Sequence, residues 1–455
     1  MIKGIKWKNH PVLGNLELKL TKPDGTAYNT IILAGENGTG KTTILETIAK
    51  FLNLGSMEFF EYIKYDDFCI NPIENYEKFG FHYRKNEKDA TKTEIRTNRS
   101  NSPNLIEQDN NDIRHYGIVY TKARSGFNTR QIDSTKNSKI DDKLQDIDDY
   151  EDFTHLKQLI IDLYTQDCFE LRQIADLNKG ISNDNYGKFD ESCSIYRFQK
   201  AFNNFFDKIQ FVGVNNKDYP GIEILFRKNN NLVKIDSLST GEKQIVFRGT
   251  MLLKNLKKLE KGVVLIDEPE LSMHPKWQEE ILKYYKDLFT NEKNKQTVQM
   301  FITTHSDYII KSALNDKDNN LIIILNDKNG TIEPDYVTSP CILPIITSAE
   351  VNYLAFRIYS IDYHAQLYGY LQNRIAQTEN TSECSVKHCD DYITQSPLYN
   401  SNYAFQSQHP KYGTLYNTLP TYIRNKIDHP DFKNSFTQDQ LQLSTEFLRQ
   451  LCQLP

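Results

Sequence analysis

The sequence predicts an α/β fold: a mixed sheet with a parallel core, a helical lobe, and a mainly helical C-terminal region. Three observations predict it. The apolar run Thr30-Ile-Ile-Leu-Ala34 leads directly into Gly35-Glu36-Asn37-Gly38-Thr39-Gly40-Lys41-Thr42-Thr43, which fits the pattern G-x-x-x-x-G-K-[ST]. A second apolar run, Val263-Val-Leu-Ile266, ends in Asp267-Glu268, and a third, Val298-Gln-Met-Phe-Ile302, ends in Thr303-Thr304-His305-Ser306. Short apolar runs of this kind suit strands covered on both faces, and open parallel sheets bind their ligands at the C-terminal ends of such strands.

The Gly-rich stretch carries its chemistry in its backbone. Gly35, Gly38 and Gly40 let the chain turn sharply and bring N–H groups close to phosphate oxygens, at the positive end of a helix read over residues 42–53. Lys41 is expected to reach the β- and γ-phosphates and Thr42 to ligate Mg²⁺, which makes ATP with Mg²⁺ the expected ligand. Asp267 would hold the metal through its water shell. Glu268 is then the carboxylate placed to orient and deprotonate an attacking water. His305, one strand further on, can stabilise charge on the terminal phosphate. Each part has an ordinary reading by itself: a Gly-rich turn, an acidic helix cap before Pro269, a hydrogen-bonding histidine. Their order along one chain favours the joint reading.

Between these parts stands Leu238-Ser239-Thr240-Gly241-Glu242-Lys243-Gln244, which resembles the signature sequence of the ABC ATPase superfamily. The resemblance implies an ABC-type ATPase head in which Ser239 and Gly241, at a helix start, bind the γ-phosphate held by another copy. It also implies a homodimer, or a higher homo-oligomer, that sandwiches two nucleotides. A lone Ser-Thr-Gly-Glu otherwise reads as a routine helix N-cap. The superfamily usually places a glutamine where the core meets the helical lobe, and the strand Gly117-Ile-Val-Tyr120 suits that junction. Here Thr121-Lys122-Ala-Arg124-Ser125-Gly126 follows. Either Lys122 or Arg124 substitutes as a phosphate-facing cation, or the glutamine lies elsewhere, and slow hydrolysis is one expected consequence.

The remaining segments fill in an order of elements. Ile2 to Trp7 and Leu13 to Leu20 alternate as strands do, and Trp7 suits the core better than an adenine stack. Residues 55–130 hold further strand-like pieces, including Phe79-Gly-Phe-His-Tyr83, around a very polar stretch, 84–114, read as a surface insertion or loop. Two more polar runs, 128–150 and 176–190, read as solvated loops. Apolar residues recur at helical spacing from Phe153 to Leu163 and from Tyr196 to Phe205, which places the helical lobe at about 150–210. The lobe is short and has no sustained heptads, so the long DNA-tethering arms of the chromosome-maintenance and break-repair relatives are not expected. The ATPase domain is assigned to residues 1–335 and the helical C-terminal region to 336–455.

Composition sets outer bounds. The chain has 455 residues, a formal net charge of −5 and seven cysteines. That charge argues against a globally basic nucleic-acid binder, and odd, widely spaced cysteines suit reduced thiols and a cytoplasmic address. No run of 18 apolar residues exists, so no membrane association is expected.

Asp267-Glu-Pro-Glu270-Leu-Ser-Met-His274-Pro275-Lys-Trp277-Gln, with Thr303-Thr-His-Ser306 and Gly241-Glu-Lys-Gln-Ile-Val-Phe-Arg248, is similar to soluble ABC ATPases of bacterial antiphage defence. Within that group, which includes the overcoming-lysogenization-defect proteins, it is most similar to the Septu ATPases (PtuA) and their retron-associated versions. The resemblance implies a separately encoded HNH nuclease as partner, a retron reverse transcriptase with its RNA–DNA product as another, and only indirect contact with nucleic acid. Residues 340–455 show neither a Toprim arrangement nor an H-N-H-like metal cluster. Cys384, His388 and Cys389 read as an exposed polar loop rather than a zinc site. Helical pattern covers Ala349 to Gln372, Leu415 to Ile427 and Thr437 to Cys452.

Arg424-Asn425-Lys-Ile-Asp-His429 fits R-N-x-x-x-H, similar to the active-site pattern of HEPN ribonucleases, which gives a competing reading: a C-terminal anticodon-nuclease-like RNase controlled by the ATPase. The bland reading is a helix that ends before Pro430 with a cation at its C-terminus. A third reading is a DNA-repair ATPase that binds DNA ends, which requires a basic surface.

Overall fold

A computed structural model describes residues 1–54, 57–65, 68–72, 81–86, 93–97, 113–123, 145–147, 154–177, 194–215, 221–253, 259–291, 294–316, 318–337, 342–408, 413–429 and 436–454. The chain divides into two units, Met1–Val337 and Thr338–Pro455.

The first unit is organised by three sheets. The antiparallel sheet has the order β2-β1-β4-β5-β6-β7, from β1 (Ile2–Trp7), β2 (Glu17–Lys19), β4 (Phe60–Tyr65), β5 (Phe68–Pro72), β6 (Phe81–Asn86) and β7 (Thr93–Thr97). The second sheet is mixed and has seven strands. Its order is β16 (Thr331–Tyr336), β15 (Asn320–Lys328), β3 (Thr30–Gly35), β14 (Gln299–Thr303), β13 (Val263–Ile266), β8 (Ile118–Thr121) and β9 (Gln145–Ile147). All neighbours in it run parallel except the β15–β16 pair. The third is a meander of β10 (Ile209–Asn215), β11 (Glu223–Lys228) and β12 (Asn231–Lys234).

Burial explains the layering. The strands β3, β13 and β14 are buried at every residue, as expected for central parallel strands covered on both faces. The helix Lys41–Leu54 turns Ile44, Leu45, Ile48, Phe51 and Leu52 into one core with Ile2, Ile5 and Leu18 of the first sheet and Leu33, Leu265 and Phe301 of the second. Trp7 belongs to this core; it is fully buried and its indole N–H donates to Thr47 Oγ1 at 3.1 Å. Helices Thr154–Leu177 and Ser194–Phe205 form the lobe ahead of the meander, with Phe198, Phe202, Phe206, Phe211 and Phe226 in mutual ring contact.

Several elements differ from the sequence reading. Leu13 to Leu20 yields only β2, because His10 and Gly14 bridge and close a turn that takes Leu13 out of the strand. The polar stretch 84–114 is not all loop: it carries the end of β6 and all of β7, paired antiparallel from Phe81↔Thr97 to Lys85↔Thr93.

In the second unit, the helix expected from 349 to 372 is two, Ser348–Phe356 and Ile361–Thr378. Arg357 at φ 53° ends the first, and Ser360 caps the second by accepting from the Tyr363 N–H. Leu415–Thr418 is a strand, β18, paired with β17 (Ala404–Gln408), and the helix starts only at Leu419 with Thr418 as its cap. Cys384 and Cys389 are not in an exposed loop. Both are buried in the core of this unit, Cys389 on the helix Val386–Gln395, while His388 points outward. Among the described residues no cluster of three or more His, Cys, Asp or Glu side chains is placed to hold a metal ion, and no helix is long and apolar enough to cross a membrane.

His364 lies at the centre of the second unit, 0% exposed, with Nε2 2.8 Å from Ser444 Oγ and no partner for Nδ1. Burial pushes its pKa down to about 3. The unfolded chain therefore binds a proton below about pH 6.5 that the folded chain refuses, and stability from this group is lost as pH falls towards 3. Replacing it with His364→Gln removes that dependence. Urea unfolding of both proteins should show the wild-type advantage shrinking by about 2 kcal/mol between pH 7 and pH 5; parallel curves would contradict this.

Candidate functional site

The loop between β3 and its helix is shaped by three glycines with positive φ: Gly35 at 138°, Gly38 at 86° and Gly40 at 83°. A side chain at Gly35 would collide with the Leu325 carbonyl and one at Gly40 with Leu13, whereas Gly38 faces open space. Glu36, Asn37 and Gly38 form the exposed crown, Thr39 is buried beneath it, and Thr43 is half-buried in the first helical turn. Lys41 is 5% exposed and folds its ammonium back onto the loop, donating to Gly35 O at 2.9 Å and Glu36 O at 2.7 Å. Burial lowers its pKa, and the carboxylates of Glu268 and Asp267 pull the other way. The loop thus presents a cradle of backbone and one desolvated cation beside two carboxylates.

Asp267 leaves the end of β13 almost fully buried, at 2% exposure. Thr42 Oγ1 donates to its two oxygens at 3.2 and 3.1 Å, and Thr303 Oγ1 to one of them at 2.5 Å. A hydroxyl and a carboxylate side by side form the oxygen donor set that Mg²⁺ prefers, and a small number of protein ligands is usual for that ion. These residues fit a magnesium–triphosphate. Glu268 follows in the left-handed region at φ 43°, which costs a side-chain-bearing residue about 1 kcal/mol or more. Its N–H is held by Thr303 Oγ1 at 3.0 Å.

The turn after β14 is tied down at each successive residue. Thr304 Oγ1 and the His305 N–H both donate to Glu270 Oε1, at 2.9 and 2.5 Å. The His305 ring places Nε2 3.4 Å from Glu268 Oε1, and Ser306 Oγ donates to Gln278 Oε1 at 2.6 Å. Burial and then the Lys41 charge lower the His305 pKa, with Glu268 opposing, so the ring is held towards its neutral form.

Ser239 caps the helix Thr240–Leu253: its Oγ accepts from the Glu242 N–H at 3.4 Å, and Glu242 Oε2 accepts from the Ser239 N–H at 2.8 Å. Lys228 holds the same carboxylate at 2.8 Å. One face of this helix grips the backbone after β13. A Cβ on Gly241 would stand 2.7 Å from Ser272 O; Gln244 Nε2 donates to Pro269 O at 2.9 Å; Arg248 Nη1 donates to Asp267 O at 2.9 Å.

The structure therefore brings Lys41, Thr42, Asp267, Glu268 and His305 together, and leaves Ser239 on the exposed start of its helix. The sequence reading missed Gln244, Arg248, Glu270 and Thr303. All four bond to backbone groups, contacts that no sequence periodicity reports. Ile118–Thr121, the strand at which the junction was read, is the sheet neighbour of β13, and Arg248 Nη2 also donates to Lys122 O at 3.0 Å. Arg124 lies outside the described residues. In the second unit Arg424 pairs with Asp428 at 2.7 Å and with Asn425 Oδ1 at 3.0 Å, while His429 is the C-terminal cap of the helix Leu419–Asp428. Arg424 is thus engaged along its own helix.

The chain is 23% identical over 369 residues to a retron Vc95 probable ATPase of Vibrio cholerae serotype O1 biovar El Tor, covering 66% of this chain and 70% of that protein. It is 24% identical over 303 residues to the Septu protein PtuA of Bacillus thuringiensis, covering 62% of this chain and 67% of that one. The resemblance to Septu and retron ATPases of antiphage defence that the motifs implied is met by these relatives. A solved SmcHead bound to the C-winged helix domain of ScpA aligns over 74% of this chain and 98% of its own, at 13% identity and a TM-score of 0.41, a likeness too slight to build on. Residues 65–311, more than half of the chain, match one family, and the chain belongs to it: the AAA domain, putative AbiEii toxin, Type IV TA system family.

Proposed function

We propose that this protein is the ATP-binding and ATP-hydrolysing subunit of an antiphage defence system, and that its nucleotide state governs a separately encoded HNH nuclease through head-to-head assembly. The observation that carries the reading is the meeting of Lys41, Thr42, Asp267, Glu268 and His305 at the C-terminal ends of three adjacent parallel strands. In this reading residues 35–43 cradle the phosphates with backbone N–H groups, and Lys41 exchanges its two carbonyl partners for phosphate oxygens. Thr42 and Asp267 hold Mg²⁺, which when bound neutralises charge on the β- and γ-phosphates.

Glu268 takes the proton of the attacking water. The neutral His305 ring shares hydrogen-bonding space with Glu268 and faces the charge carried by the γ-phosphoryl group as it passes from ADP to water. Ser239 and Gly241 serve the nucleotide of a second copy. Their helix also holds the carbonyls of Asp267 and Pro269, which supports communication between the two nucleotide sites. The reading further includes a cytoplasmic location, and a retron reverse transcriptase with its RNA–DNA product as a companion in some assemblies. The Septu and retron names of the relatives support the defence role.

Two measurements test it. With Mg²⁺ and ATP, Glu268→Gln should lower kcat by about 100-fold or more while nucleotide stays bound, and Lys41→Ala should abolish binding. Hydrolysis by Glu268→Gln at the native rate would identify a different base. Isolated from its native host, the chain should copurify with an HNH nuclease in a stoichiometric complex; recovery as a homo-oligomer without any nuclease would contradict the partner assignment.

A further inference from the structure

We propose that Glu270 is a positioning residue for hydrolysis, setting the His305 ring against Glu268 by clamping the turn that carries it; the proposal rests on the ATPase reading above. The geometry is specific. Glu270 reaches from the segment after β13 to the turn after β14, and a single oxygen, Oε1, accepts both the His305 N–H and the Thr304 hydroxyl.

Its other oxygen, Oε2, is buried and has no hydrogen-bond partner. A carboxyl group left half-satisfied in a desolvated place costs free energy, so its retention here calls for a return elsewhere in the molecule. The return visible in the structure is alignment. Glu268 stands in a left-handed backbone conformation, and His305 meets it from a neighbouring strand end at 3.4 Å. Neither backbone fixes the separation of the two side chains. Thr303 ties the first residue of the turn to Asp267 and Glu268, and Ser306 ties the last to Gln278. Glu270 supplies the link between them, at the residue whose ring faces Glu268. Its acceptor oxygen is spent on the His305 turn, so Glu270 acts through His305.

A misplacement of about 1 Å in such a site can cost 100-fold in rate. Glu270→Ala should therefore lower kcat by about 10- to 100-fold and leave the KM for ATP within about threefold of wild type. Glu270→Gln retains an oxygen that can accept both donors, and should restore kcat to within about threefold. Glu270→Asp keeps the charge but withdraws it by one methylene, and should behave like the alanine variant; it serves as the decisive variant should Glu270→Ala fail to fold. The positioning role is isolated by a double-mutant cycle: in a His305→Ala background, removing the Glu270 carboxylate should lower kcat no further.

Equal loss of kcat in both backgrounds, or wild-type kcat in the aspartate variant, would overturn the proposal while a Glu268-dependent ATPase leaves the functional reading standing. A wild-type protein that binds but never hydrolyses ATP would instead overturn the functional reading, and this proposal with it.

Discussion

Asp267 is the junction on which the site depends. Its carboxylate accepts the hydroxyls of Thr42, from the start of the helix after the Gly-rich loop, and of Thr303, from the end of β14. Its N–H donates to Thr121 O at the end of β8, and its carbonyl accepts from Arg248 on the helix that begins at Ser239. Four separate elements are thereby fixed to one residue that is 2% exposed. Hydrogen bonds to a charged group are stronger than those between neutral partners, and a buried carboxylate stripped of its donors is costly. The same donors that stabilise Asp267 therefore set the distances among the groups expected to handle a triphosphate.

This economy shapes the backbone around the site. Gly35 and Gly40 are required because Leu325 and Leu13 occupy the space a side chain would need, and Gly241 because its helix starts against Ser272 O. Glu268 accepts a left-handed conformation because Thr303 holds its N–H and Gln244 holds the next carbonyl, that of Pro269. Strain at a single residue persists where neighbours over-determine it, and such places concentrate at functional sites. The helix from Ser239 contributes twice, with its first turn turned outward and its Gln244 and Arg248 turned to the carbonyls of Pro269 and Asp267. One rigid element thus spans from the surface expected to meet a second copy to the carboxylates of its own chain.

Much of this was legible in the sequence because motifs at strand ends are local. Apolar runs announced β3, β13 and β14, and the residues directly after them are the ones the structure brings together. What the sequence concealed was non-local or broke a period. Glu270 and Arg248 make side-chain contacts to backbone groups 35 and 19 positions away, and no periodicity reports such contacts. The interruption at Arg357 was masked because residues on both sides keep apolar helical spacing while a left-handed residue redirects the chain. Leu415–Thr418 read as helix because it runs into one; Thr418 both pairs with Ala404 and caps the helix that follows. Cys384 and Cys389 looked exposed among polar neighbours, yet they close the core of their unit.

Family membership and the retron and Septu relatives support an ATPase of antiphage defence, and Asp267 holds the strand-end residues in register. The most direct examination of that account is a structure of Glu268→Gln with Mg²⁺ and ATP. The account predicts that Lys41 leaves the carbonyls of Gly35 and Glu36 for the phosphates, that Thr42 and Asp267 flank the metal, and that Ser239 of a second copy faces the same nucleotide. Nucleotide bound away from residues 35–43, or Ser239 remote from every nucleotide in the assembled protein, would contradict it.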